Sequence, residues 1–431
     1  MSRQFWVLVH RYAGLAIAIF LTIAGLTGAV IAFNHELDEW LNPELFKTSS
    51  TGEPLPMTEL IARVEQSDSR FRVGYVALQV EPGHTVNVWG DAKVDPATGK
   101  LYPLDYDNVF IDPVTGAIVG KRLWGECCFE RENLISFLYS LHYTMKLPGQ
   151  WGIWLMGIVG MIWIVDNFVG AYLTFPMRRT QNGTVTPPRS WWMRWKPSLR
   201  VKTDASRYRL NFDLHRAGGL WFWGVLLIMA MSSVYLNLHD EVFEPVVSMV
   251  ADVTPTVFDQ RQPQPPDQPI EPSISFEEAI ARGNVEAAKR GWEPVPHGAF
   301  YSESYGVFGV GYGEDHAPGL GSPWLYFDGG DGRYVGDDVP GTGTAGDFFL
   351  QMQFPLHSGQ IAGLTGRIVI AVVGVVTAML SITGIVIWLR KRRARILRRS
   401  RYRAVVFPLR EQESAPEPAG AVTSEAVDSH R

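Results

Sequence analysis

Four long apolar runs divide the chain, at about 5–33, 151–175, 220–238 and 364–389. Each is almost free of charge and long enough to cross a bilayer of about 30 Å as a helix. Two long polar segments lie between the first pair of runs and the second pair. In 54–65 (PLPMTELIARVE), Leu60, Ile61 and Val64 share one helical face, with Thr58 as a candidate N-cap. Strand-like runs follow at 73–80 and 85–89, parted by the turn Glu81-Pro82-Gly83. The stretch 108–119 (NVFIDPVTGAIV) has a hairpin pattern, with Asp112-Pro113 and Thr115-Gly116 between apolar arms. The second polar segment repeats this order more loosely. A Pro/Gln-rich linker at 263–272 precedes a helix at 275–290, where Ser275 caps and Glu278 follows three residues on. Strands are then expected at 300–311 and a matching hairpin at 324–335.

The same plan is used twice. HRYAGL opens the first span at His10 and HRAGGL the third at His215, and each span exits into acidic, His-containing sequence. Leu141-His142 and Leu356-His357 precede the second and fourth spans. The expected fold is therefore a membrane all-α four-helix transmembrane bundle carrying two extracytoplasmic α+β domains, built by internal duplication. Its segments are a first span (1–35), a first outer domain (36–141), a second span with its preceding histidine (142–176) and a basic loop (177–214). A third span (215–239), a second outer domain (240–356), a fourth span with its preceding histidine (357–390) and a basic, then disordered, tail (391–431) complete the chain.

Charge orients this arrangement. The net charge of -5 conceals a loop that holds Arg178, Arg179, Arg189, Arg194, Lys196, Arg200, Lys202, Arg207 and Arg209 against Asp204 and Asp213. The tail begins RKRRARILRRSRYR, whereas both outer segments have an excess of Asp and Glu. The positive-inside rule places both termini and the loop in the cytoplasm, and both acidic domains outside. The first span is too long for a signal peptide and has no clear cleavage site, so it reads as an uncleaved anchor. Binding to anionic lipid accounts for the basic flanks, and no nucleic acid is needed. The two cysteines, Cys127 and Cys128, are adjacent. They are either a vicinal disulfide or ordinary thiols. No CxxCH occurs, which excludes covalently attached c-type haem. GTGTAG at 341–346 opens no βαβ unit and is no dinucleotide site. No flavin or nicotinamide motif occurs elsewhere, and Asn182-Gly183-Thr184 falls on the cytoplasmic side, where it is no glycosylation site.

Ten histidines remain to be explained. A haem in a membrane needs two imidazoles from different helices at one depth, with small residues beside them. His10 and His215 meet this description, followed by Gly14 and by Gly218-Gly219. His142 and His357 form a second symmetric pair, near Gly149 and Gly152 and near Gly359, Gly363 and Gly366. Arg11 and Arg216 face either haem propionates or lipid phosphates. His35 and His239 do not align between the repeats. They are read as a metal or proton site, a further axial pair, or interfacial polar residues. His84, His297 and His316 fall in the outer domains and His430 in the tail. Asp166 and Asn167 lie inside the second span, where an ionisable group is costly. They serve a proton path, pair with another helix, or face water.

The segments EPLPMTELIARVE and NVFIDPVTGAIVG resemble a PepSY domain. HRYAGL, LTGAVIAF, LHYTMKLPGQWG and PLHSGQIAGLTGR resemble the PepSY-associated transmembrane family, over about residues 3–395. That resemblance implies a bacterial inner-membrane protein, often under iron control, in a family that includes siderophore-iron reductases holding haem b. The expectation is an enzyme, a ferric-chelate reductase, with two haems b on His10/His215 and His142/His357. Electrons come from quinol or a cytoplasmic reductase and pass to a ferric siderophore or other ferric chelate. Siderophore oxygens hold hard Fe(III) far better than Fe(II), so reduction releases the metal. The alternatives are a PepSY-based binding or regulatory protein acting on peptidases, and an electron conduit to a periplasmic redox partner, through Cys127-Cys128 in one version.

Overall fold

The computed structural model describes residues 2–128, 130–177, 190–314 and 317–406, with side chains through residue 398. The 182–184 stretch, His316 and the tail after 406 lie outside these residues. The chain divides into two compact units, 1–385 and 386–431.

Helix α1 (Arg3–Ile31) is followed by α2 (Asn34–Leu41), α3 (Pro43–Phe46) and α4 (Met57–Ser67). Strands β1 (Phe71–Ala77), β2 (Val86–Ala92), β3 (Val94–Asp95), β4 (Lys100–Leu101), β5 (Asn108–Ile111) and β6 (Ile118–Arg122) come next. Then come α5 (Arg131–Thr144), α6 (Trp151–Thr174), α7 (Trp191–Trp195), α8 (Arg207–Trp221), α9 (Trp223–Asn237) and α10 (Glu244–Ser248). The last part holds α11 (Phe276–Lys289), β7 (Pro296–Ser302), β8 (Val307–Tyr312), β9 (Trp324–Asp328), β10 (Tyr334–Asp338), α12 (Ala345–Gln351), α13 (Gln353–Ser358) and α14 (Gly363–Val406).

Among the described residues, Arg3–Ile31, Trp151–Thr174 and Gln360–Arg398 are long and apolar enough to cross a membrane. Ile19, Val165, Phe168, Leu364 and Val375 on these helices are exposed, an apolar surface suited to lipid. The third span, expected as one helix over 215–239, is broken. Helices α8 and α9 bend by 70° and make a fourth span only when counted together. Phe222 leaves helical geometry at φ −101° and ψ 6°. Gly218, Gly219 and Gly224 flank it, where helix continuity is weakest. Helix α1 crosses α14 at Gly25 and Gly374. A Cβ on either would run into the other's backbone carbonyl, so only glycine allows this approach.

The expected helices and hairpins form, with shifted ends. Helix α4 starts on Pro56 without a side-chain cap, so Thr58 is not the N-cap. Ser275 does cap α11, its hydroxyl accepting from the Glu278 N–H. The 341–346 stretch leads into α12, which opens on a Thr344–Asp347 capping box. The two long polar segments do not form separate sheets. They share one eight-stranded antiparallel sheet in the order β10-β9-β8-β7-β1-β2-β5-β6. The seam is β1 with β7, pairing Tyr75 with Phe300, Val76 with Ala299 and Ala77 with Gly298. Leu60 and Val64 of α4 bury against Phe71, Val73, Val88 and Val109, and Ile280 of α11 packs on the same core. Ala279 and Ala287 of α11 cover Phe308, Leu325 and Phe327.

The sheet is pinned to the helices by a buried ion pair. Arg122 on β6 donates to Asp38 on α2 at 2.8 and 3.1 Å, and its Nε donates to Asn108 at 3.2 Å. Phe46, Phe110 and Trp124 surround the guanidinium. Nearby, Arg367 on α14 donates to the Ala32 carbonyl and to Glu36, and the Arg367 guanidinium holds the Glu36 carboxyl below its usual range. In the second unit, Arg392 lies over the Trp388 ring.

Candidate paired-histidine sites

His10 sits two turns into α1. Its imidazole Nδ1 is 2.8 Å from Asp166 Oδ1 on α6. Asp166 is thus the partner of another helix. His215 on α8 faces His10, with ring centres 6.1 Å apart. Its Nδ1 lies 3.0 Å from the Leu380 carbonyl and 3.1 Å from Thr383 Oγ1 on α14.

The second pair lies toward the sheet end of the helices. His142, near the end of α5, places Nδ1 2.9 Å from the Ala24 carbonyl and 3.2 Å from Thr27 Oγ1 on α1. His357 on α13 places Nδ1 2.8 Å from Ser232 Oγ on α9. The His142 and His357 ring centres are also 6.1 Å apart.

These contacts fix the tautomers. Carbonyl and carboxylate oxygens only accept, so His10, His142 and His215 carry their proton on Nδ1. For His357 the partner is a hydroxyl, but Ser232 already donates to the Ile228 carbonyl at 2.9 Å. It therefore accepts from His357 Nδ1–H. Thr27 and Thr383 likewise donate to the Ile23 and Met379 carbonyls. Nε2 is then the ring nitrogen through which each of the four could bind a metal. A metal-binding imidazole is ordinarily oriented in this way, through its other ring nitrogen.

Glycines make room for three of the rings. A Cβ at Gly28 would lie 2.8 Å from His142 Cε1, one at Gly384 3.1 Å from His215 Cε1, and one at Gly170 3.4 Å from His10 Cε1. The supporting residues recur in register. Thr27 is seventeen residues after His10, and Ser232 seventeen after His215. Gly170 and Gly384 each stand four residues after the group that holds the facing histidine, Asp166 and Leu380. Sequence reasoning missed these second partners. A hydroxyl at the same offset from both HR pairs was the signal that marked them. Along α1, positions 10 and 27 are about 25 Å apart at 1.5 Å per residue.

The other expected residues are placed differently. Arg216 does not point to an open anion site: it pairs with fully buried Asp213 at 2.8 Å and donates to the Pro197 carbonyl at 3.0 Å. Arg209 binds the same carboxylate at 2.8 Å. His35 is not brought to His239. It packs edge-on against Phe46, ring centres 6.0 Å apart. His239 opens a π-turn and lies 2.6 Å from Asp240 and 3.6 Å from Glu244. Those three could supply one ligand atom each to a cation, though Asp240 is largely exposed. His84 reaches Glu39 at 3.3 Å, and His297 is buried edge-on against Trp324. Cys127 and Cys128 are joined by a disulfide. A file of rings, Trp89, Trp124, Tyr139 and Tyr143, runs from the sheet onto the helix that carries His142, with centres 5.1, 5.7 and 6.0 Å apart.

The fold and these sites define a membrane protein with a large β-sheet domain and two facing histidine pairs. The chain belongs to the family described as the PepSY-associated TM region, whose sequence profile matches residues 7–391. Among curated proteins, none matches it.

Proposed function

We propose that this chain is a bacterial inner-membrane electron-transfer enzyme that reduces a ferric chelate outside the membrane. The observation that carries the reading is the two histidine pairs, equally spaced and each ring anchored through Nδ1. Two imidazole nitrogens about 2.0–2.1 Å from one metal put ring centres a little over 6 Å apart, as both pairs have them. Two imidazoles at this separation suit one haem iron held between them. His10 with His215 would hold one haem b, and His142 with His357 another, in a space kept open by Gly28, Gly170 and Gly384. Haem b supplies one-electron iron redox chemistry to such a site.

The basic loop and tail support a topology with both termini in the cytoplasm and the sheet in the periplasm. The recurring offsets of Thr27 and Ser232 support internal duplication, giving a four-span bundle with two PepSY-like halves. On this reading electrons enter at the His10/His215 side and leave at the His142/His357 side. A quinol that gives up two electrons and two protons serves two ferric ions, each gaining one electron. A cytoplasmic reductase is the other donor that fits. The acceptor, an iron-siderophore or similar chelate, would dock between the sheet and the membrane, where Trp124 meets Tyr139 of the His142 helix.

The test is the optical spectrum of purified protein, oxidised and then reduced, with haem counted per chain. About two low-spin b haems, reoxidised by a ferric chelate, is the expected result. A colourless protein made with ample haem supply overturns the reading and turns attention to the outer sheet as a binding module.

A further inference from the structure

The four histidine anchors are not chemically alike. His142 and His215 donate to backbone carbonyls, and His357 to a hydroxyl, all neutral groups. His10, by contrast, donates to a carboxylate, that of Asp166. The Asp166 side chain is 11% exposed, and among the described residues His10 is its ion-pair partner. The other carboxylate close to this pair, Asp213, is held by both Arg209 and Arg216. Asp166 therefore brings a negative charge to the inner pair that the outer pair lacks.

A carboxylate behind a ligating imidazole makes the ring more basic and strengthens its donation to the metal. Its charge acts across a poorly screened, low-dielectric region. Both effects favour ferric over ferrous iron, and hydrogen bonding of this kind is one of the means by which a protein sets a redox potential. We infer that Asp166 is a positioning residue that sets the inner haem at a lower potential than the outer one, so that electrons run outward. This rests on the haem reading above and deepens it: the direction of flow is built into one side chain behind His10. An electron from quinol or a cytoplasmic reductant is passed from the low-potential side to the high-potential side, and then to Fe(III), which becomes Fe(II).

The experiment is a redox titration of the purified holoprotein, followed by its haem absorbance. Wild type should titrate in two steps. Asp166→Asn keeps an acceptor oxygen but removes the charge. It should raise the lower step and leave the upper one in place. Asp166→Glu should keep the lower step low. Transfer from quinol to a ferric chelate should slow about 10–100-fold in Asp166→Asn, the usual cost of losing such a partner. The reciprocal variant, Ser232→Asp, adds a carboxylate behind His357 and should lower the upper step. An unmoved lower step in Asp166→Asn, or movement of the upper step instead, overturns the inference. Should Asp166→Asn fail to retain haem, Ser232→Asp decides: an upper step that does not fall overturns it. Wild-type protein without haem refutes the underlying reading before any step is measured, so the two failures are distinct.

Discussion

At the scale of single residues, each histidine depends on a neighbour that leaves it space. Gly28 is the tightest case. In Gly28→Val the new side chain collides with the His142 ring, 2.8 Å from where its Cβ would begin. On the proposed haem reading, haem content should fall from about two per chain to about one, with the helices intact, as read by absorbance and by circular dichroism. Unchanged haem content would mean the ring has another place to go. The hairpin turn offers a second residue-scale test. Asp112 accepts from the Val114 and Thr115 N–H groups at 2.8 and 2.9 Å and from the hydroxyls of Thr48 and Ser50. Burial opposes its ionisation, but these hydrogen bonds outweigh that and hold the carboxyl well below the usual range. Asp112→Ala should destabilise the outer domain by about 1–3 kcal/mol. Because the folded pKa is depressed below the unfolded value of about 3.9, the stabilisation is complete at neutral pH. It is lost as pH falls below about 4. The difference in stability between wild type and variant should therefore shrink in acid, measurable by denaturant titration. The Asp-Pro-x-Thr-Gly turn was legible in the sequence because its bonds are local. The anchors of the histidines were not, because Asp166 and His10 meet only after α1 and α6 pack.

At the scale of elements, the apolar runs, the outer helices and the hairpins could be read from their periods. The bend at Phe222 could not. Apolar residues continue through it without a change of pattern, and the glycines around it permit a break without requiring one. The union of β1 with β7 was equally hidden, since nothing in either strand's own pattern names the other as its partner. The contact that ties the sheet to the spans is Arg122 with Asp38, both nearly inaccessible. Arg122→Ala would leave Asp38 buried and uncompensated, at a cost of about 3–5 kcal/mol. The sheet should then loosen from α2, seen as faster proteolysis within 36–56. An unaltered cleavage rate would show that the aromatic rings around the guanidinium hold this junction by themselves.

At the scale of the whole molecule, the shared sheet makes the two outer segments one folding unit. Ala299 lies fully buried on the seam, opposite Val76. Ala299→Asp buries an unpaired charge there, and both segments should unfold together. Limited proteolysis would then cut in 36–141 and in 240–356 alike; cutting confined to the second segment would show that the halves fold separately. The family match and the apolar helices place the protein in a membrane, and both were readable from sequence. What the seam adds concerns motion. Carriers that move a solute by alternating access rock one structural repeat against the other about a central site. Here the two polar segments are stitched together across β1 and β7, and α1 and α14 touch backbone to backbone at Gly25 and Gly374. A frame braced at both places is suited to passing charge through fixed positions and poorly suited to rocking. On the proposed function, iron freed outside the membrane would need a separate importer to bring it in, and the genes for the two should be needed together for growth on a chelated iron source.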